Sequence, residues 1–210
     1  MTPDQFLARC PSLWHVAPVG AWDHISRVGF RTAEQLIGDA KLEDDERAAL
    51  LSQPRRDTVN LSIDGSDVVL RDQGQLFARA EGAPVVEDGL DVADWVRMLN
   101  KRVYFFADTI PMRKMLEKYV ERDGAQDLLV LSPMRLLDSV RPQIQLASQN
   151  TGAIARRKGV QKDLEMFMSI TRFPNRRPTE VTVLGGVEDL NVVIRVERHH
   201  ADGTMERLKP

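Results

Sequence analysis

The chain has 210 residues, 42% hydrophobic and 29% charged, with a formal net charge of −2. That balance suits one globular domain over residues 1–210; it excludes a globally polycationic protein but leaves room for a local basic patch. The single cysteine, Cys10, excludes an intramolecular disulfide and a cysteine-based zinc site, and no metal is expected.

The opening Met1-Thr2-Pro3-Asp4-Gln5 lacks the basic and apolar regions of a secretion signal. No apolar run approaches the roughly 18 residues of a membrane span. A cytoplasmic setting without membrane attachment is the expectation.

Thr2, Pro3 and Gln5 read as a helix start with a capping box, and that helix stops before Pro11. Ser12 to Val16 reads as a strand entering a core. A helix over 20–29 follows, with Trp22, Ile25 and Val28 on one face and Gly29 as its stop. Thr32 and Gln35 repeat the capping logic for another helix. A third, over 43–53, is acidic at its N-terminal end, as the helix dipole favours.

Thr58 to Ile63 alternates, Asp64-Gly65 signals a hairpin turn, and Asp67 to Arg71 returns. Asp91 caps a helix with Val92, Trp95, Val96 and Leu99 on one face. A strand over 102–106 is expected next. The helix after it carries Met112, Met115, Leu116, Tyr119 and Val120 on one side. Asp127 to Leu131 is strand-like, and Ser132-Pro133 opens a short helix to about Val140.

Residues 142–178 are the least regular stretch. Over 150–178 there are seven Lys/Arg against two Asp/Glu, a local charge of +5. Thr179 to Leu184 is a strong strand, Gly185-Gly186 turns it, and Leu190 to Val196 is its expected hairpin partner. The tail after His199 is polar. Strands do not alternate regularly with long helices, so an α+β fold is expected: a mainly antiparallel β core with helices early in the chain.

The chain has no Walker A loop, no Gly-x-Gly-x-x-Gly, no His-Glu-x-x-His and no Gly-x-Ser-x-Gly. Of its four histidines, His199 and His200 lie near the polar tail. His24 sits on a helix opposite the apolar face and is expected to be solvated. His15 lies in a strand between Trp14 and Val16, where partial burial is expected. The commonest role for such a histidine is a hydrogen-bonded core group. Tyr104, in Val103-Tyr104-Phe105-Phe106, is by itself an ordinary strand aromatic. Strand alternation puts Tyr104 and Phe106 on one face and Phe105 on the other. Glu180 shares a face with Thr182 and Leu184 if Val181 and Val183 face the core; that face is solvent or a cleft.

Taken together, the segments resemble the ADP-ribosyltransferase fold, and within it the DarT DNA ADP-ribosyltransferase toxins and their bacterial relatives. Leu13-Trp14-His15-Val16 followed by Ile25 to Phe30 is similar to the family's opening strand and Gly-containing turn. Val103 to Phe106 followed by Pro111-Met112 is similar to its aromatic strand and helix start. Arg176-Arg177-Pro178-Thr179-Glu180-Val181-Thr182-Val183 is similar to its Arg-rich approach to the strand with the catalytic Glu. The chain also resembles a bacterial family of unknown function with a Leu-Asn-x-Arg-Val-x-Phe strand, here Leu99 to Phe105, and an Asn-Thr-Gly element, here Asn150-Thr151-Gly152.

The resemblance implies a split antiparallel core that uses NAD as co-substrate and transfers ADP-ribose to a macromolecule, with DNA and RNA among the acceptors. It implies that Glu180 is catalytic, stabilising an oxocarbenium-like transition state, and that Arg71 balances the pyrophosphate ahead of Arg55-Arg56. His15, Tyr104 and Phe106 would hold the dinucleotide. Residues 148–178 would form a substrate-recognition loop, with Asn150, Arg156, Arg157 and Arg177 on the acceptor. A toxin or phage-defence role, with an antitoxin or defence partner protein, follows from the same resemblance. The alternative is a catalytically inactive nucleotide- or nucleic-acid-binding module of the same fold. RNA 2′-phosphotransfer is disfavoured, because Trp14-His15-Val16 stands where that chemistry needs an Arg-His-Arg phosphate site.

Overall fold

A computed structural model describes residues 1–73, 92–151 and 166–209. Its frame is an eight-stranded sheet in which every pairing is antiparallel, so the α+β expectation holds.

The strands are β1 (Leu13–Pro18), β4 (Arg102–Phe106), β5 (Gln126–Leu131), β6 (Ile144–Ala147), β7 (Met168–Ser169), β8 (Glu180–Leu184), β9 (Val193–His199) and β10 (Met205–Lys209). Their order across the sheet is β10-β9-β5-β1-β4-β8-β6-β7. A separate hairpin of β2 (Val59–Ile63) and β3 (Ser66–Leu70) turns at Asp64-Gly65, both with positive φ.

The helices are α1 (Pro3–Arg9), α2 (Ala21–Val28), α3 (Ala33–Asp39), α4 (Asp44–Ser52), α5 (Val92–Asn100), α6 (Thr109–Asp123) and α7 (Pro133–Val140). The capping boxes expected at Thr2–Gln5 and Thr32–Gln35 both form. The expected Asp91 cap lies outside the described residues. Asp108 caps α6 by accepting from the Ile110 backbone N–H at 2.8 Å.

The main core lies on one sheet face, where Phe6, Leu13, Ala17, Phe105, Leu129, Leu136, Val181 and Val183 pack together. On the other face α6 covers Val16 and Leu128 with Met112 and Leu116, while Trp95 and Leu99 of α5 pack with Phe167. A third cluster joins the β2–β3 hairpin to α3, through Leu61, Ile63, Val68, Leu70 and Ile37. Burial of these apolar side chains is the main stabilising term.

Two expectations are corrected, the partner of Leu190 to Val196 and the facing of Val28. Leu190 to Val196 does not pair with β8. Gly185 and Gly186, at positive φ, carry the chain away, and Val187 exchanges backbone hydrogen bonds with Phe30 at 2.8 and 2.9 Å. Leu190–Val192 is a 3-10 turn, and β9 pairs with β5 and β10 instead. The polar tail contains β10, an edge strand whose residues are mostly exposed. Within the irregular stretch 166–178, Met166, Phe167, Ile170 and Phe173 are buried and β7 pairs with β6. Val28 faces solvent rather than the core.

Candidate functional site

β1 and β4 are paired only at Trp14↔Phe106. Beyond that point the two strands part, and a cleft of about 520 Å³ opens beside them. His15, Tyr104 and Glu180 all line it, together with Arg71, Phe106 and Asn150.

The strand pleat explains how. Val103, Phe105, Val181 and Val183 point into the main core. Their neighbours Tyr104, Phe106, Glu180 and Thr182 therefore share the opposite face. On the β4–β8 ladder Phe106 sits directly across from Glu180, and Tyr104 across from Thr182.

His15 comes from the other side. Its ring packs edge-on against Phe30 and Phe105, with centroids at 5.4 and 5.9 Å. Across the parted strands its Nδ1 donates to the Tyr104 carbonyl at 2.9 Å. Burial is the main cause lowering its pKa below 6.5, and nearby Arg71 adds to it. The neutral ring donates from Nδ1, so Nε2 is an acceptor.

Tyr104 donates its hydroxyl to the Leu99 carbonyl at 3.0 Å, which fixes the ring as a cleft wall. Burial raises its pKa well above 10.0, and the Glu180 carboxylate pushes the same way, so the phenol stays neutral. Glu180 is buried, and its Oε2 accepts from the Thr151 backbone N–H at 3.0 Å and the Thr151 hydroxyl at 2.7 Å.

Arg71 stacks on the Tyr119 ring at 3.7 Å, pairs with Asp123 at 3.3 Å and donates to Gln126. Its Nε is buried without a hydrogen-bond partner. Burial pulls its pKa below 12.5, but the guanidinium remains the charged form. Arg55 is already spent on structure: it donates to the Arg71 carbonyl at 3.1 Å and to Asn100 Oδ1 at 3.1 Å. Arg56 is exposed and does not line the cleft. Around the cleft stand Arg31, Arg55, Arg71, Arg102, Lys118 and Arg122 against Asp72 and Glu180. Asp39 pairs with Arg31 and Asp123 with Arg71 and Arg122, which neutralises part of that charge; the smaller cationic excess that is left suits an anionic ligand.

A smaller recess of about 110 Å³ adjoins the cleft and shares His15, Pro18, Arg31, Leu36 and Val69 with it. Its walls include Phe30 and Ile25. His24 Nε2 and Arg31 Nε are both buried there without a hydrogen-bond partner. His24, expected to be solvated, is thus half-buried, and burial lowers its pKa below 6.5.

Arg177 is not in the cleft. It pairs with Asp108 at 3.0 Å and donates to the Arg9 carbonyl at 2.9 Å. Arg156 and Arg157 lie outside the described residues. Thr151 and Tyr119 went unassigned at the sequence level, although the Asn150-Thr151-Gly152 element marked the first and the α6 pattern included the second. Among the described residues no group of three or more His, Cys, Asp and Glu side chains could hold a metal ion, and no helix is long and apolar enough to cross a membrane.

The fold and site define an α+β protein with a cationic, aromatic-walled cleft at a gap in its antiparallel sheet. The chain belongs to a family of unknown function, DUF7002, whose model matches residues 11–194. No curated protein matches it.

Proposed function

We propose that the protein is an NAD-dependent ADP-ribosyltransferase acting on a macromolecule, with nucleic acid among the acceptors. The observation that carries this reading is the meeting of His15, Tyr104 and Glu180 in one cleft. They come from three strands far apart in sequence.

In this reading nicotinamide lies against the Tyr104 ring, with Phe106 alongside. The Arg71 guanidinium faces the pyrophosphate, and the acceptor nitrogen of His15 takes a ribose hydroxyl. The recess beside Phe30 suits a flat base, because His24 Nε2 and Arg31 Nε offer unpaired polar edges between apolar walls.

Glu180 accepts a hydrogen bond from the 2′-hydroxyl of the reacting ribose. As the C1′–N bond breaks, its electron pair leaves with nicotinamide, and positive charge develops at C1′ and the ring oxygen. A carboxylate held beside that charge stabilises the transition state. The acceptor nucleophile then bonds to C1′ and releases its proton to solvent. Asn150 stands at the cleft for contact with that acceptor. An activity that spends NAD on nucleic acid fits a cytoplasmic toxin or phage-defence role held in check by a partner protein.

Titration calorimetry with NAD tests the reading. Saturable binding that weakens at least about tenfold in Tyr104→Ala is expected. Absence of binding at saturating NAD would sink it. Binding without any turnover would favour a catalytically silent nucleotide-binding module.

A further inference from the structure

Thr151 contributes two donors to a single carboxylate oxygen. Its backbone N–H and its hydroxyl meet Glu180 Oε2 at 3.0 and 2.7 Å. The residue is fully buried.

The chain is built to deliver it there. Ala147, at the end of β6, is registered against Glu180 at the start of β8. The Thr179 N–H donates to the Ala147 carbonyl at 2.8 Å, and the Thr179 hydroxyl donates to the Ser148 carbonyl at 2.9 Å. These two bonds fasten the exit of β6 to the approach of β8, and three residues later the chain lays Thr151 onto the carboxylate. A Glu side chain has three rotatable bonds; pinning one oxygen with two donors fixes the other oxygen's direction as well.

We propose that Thr151 is the positioning residue for Glu180, holding its carboxylate ionised and aimed at the substrate ribose. Its catalytic meaning rests on the reading of Glu180 as the catalytic group. Its electrostatic part does not, because donors on a carboxylate lower its pKa whether or not NAD is split. The backbone N–H survives any substitution at 151, so the hydroxyl is the part a variant can remove.

The experiment uses the full chain and the variants Thr151→Val, isosteric without the hydroxyl, and Thr151→Ser, which keeps it. The Glu180 carboxyl is titrated by carbon NMR without ligand, its signal assigned by loss in Glu180→Gln. Nicotinamide release from NAD is followed in parallel. In Thr151→Val the Glu180 pKa should rise by about one pH unit, and kcat should fall about 10- to 100-fold with KM little changed. The acid limb of the pH–rate profile should move up with the pKa. Thr151→Ser should stay within about threefold of the parent.

An unchanged pKa and kcat in Thr151→Val would overturn the proposal and leave the NAD reading standing. So would a Thr151→Ser protein as impaired as Thr151→Val, a comparison that survives even if the valine variant folds poorly. A parent chain that does not split NAD would fail the functional reading and the catalytic part of this proposal. The NMR titration would still decide the electrostatic part.

Discussion

His15 spans the gap between β1 and β4 by donating Nδ1–H to the Tyr104 carbonyl at 2.9 Å. The bond satisfies a backbone acceptor where the two strands have parted, and it selects the tautomer that leaves Nε2 free to accept. A consequence for stability follows. Burial holds the native pKa below the ordinary 6.5, so below that value the unfolded chain binds a proton that the native chain refuses. The His15 contribution is present above about pH 6.5 and is lost as pH falls through that value towards the depressed native pKa. Denaturant midpoints should therefore drop on acidification from about pH 7.5 to 5.5, and His15→Gln should flatten part of the drop. His24 supplies another part, since its pKa is lowered too. An equal drop in His15→Gln would contradict this assignment.

Two arginines at the cleft should behave oppositely. Arg55 is buried and bonded to Asn100, and its pKa is pulled down to about 10 by that burial. Arg55→Ala leaves Asn100 and the Arg71 carbonyl short of a partner and should cost about 2–4 kcal/mol in urea unfolding. Arg71→Ala removes a group stacked on Tyr119 with one unsatisfied N–H. It should cost about tenfold or more in NAD affinity by calorimetry, with a smaller loss of stability. A reversed pattern would mean that Arg55 is the anion-binding group.

Gly29 ends α2 at φ +80°, and a Cβ there would lie 2.4 Å from the Val187 carbonyl oxygen. The same carbonyl accepts the Phe30 N–H at 2.8 Å, so it cannot retreat without loosening the support of Phe30 beside His15. Gly29→Ala should destabilise by about 2 kcal/mol or more, read as a shift in denaturation midpoint at unchanged slope.

Cys10 is fully buried, and burial pushes its thiol up to about 12. A thiol-specific disulfide reagent at about pH 8 should label it slowly in the folded chain and rapidly in denaturant, because only the thiolate attacks. Fast labelling of the native protein would show that the α1 end of the core opens readily.

Much of the frame was legible because local chemistry dictated it. The Thr2–Gln5 and Thr32–Gln35 boxes, the Asp64-Gly65 turn and the alternation of Tyr104, Phe105 and Phe106 all formed as the residues predict. The pairing of β9 with β5 was not legible. It depends on Val187 meeting Phe30, a contact between segments more than 150 residues apart that leaves no local pattern. β6 and β10 were hidden for a different reason: one is four residues long, and the other is an exposed edge without a buried stripe.

The candidate site divided the same way. His15, Tyr104 and Glu180 stood out as chemistry-bearing residues on strands. The role of Thr151 required the register Ala147↔Glu180, and the turn of Arg177 towards Asp108 required the tertiary position of the α6 cap.

The most direct test of the central claim is nicotinamide release from NAD, measured by chromatography for the parent chain and for Glu180→Gln. The amide nearly preserves shape and removes the charge. The account predicts release by the parent and a fall of about 10³-fold or more in Glu180→Gln, with NAD affinity by calorimetry within a few-fold. Release that continues unchanged in Glu180→Gln, or a parent chain that neither binds nor splits NAD, would contradict it.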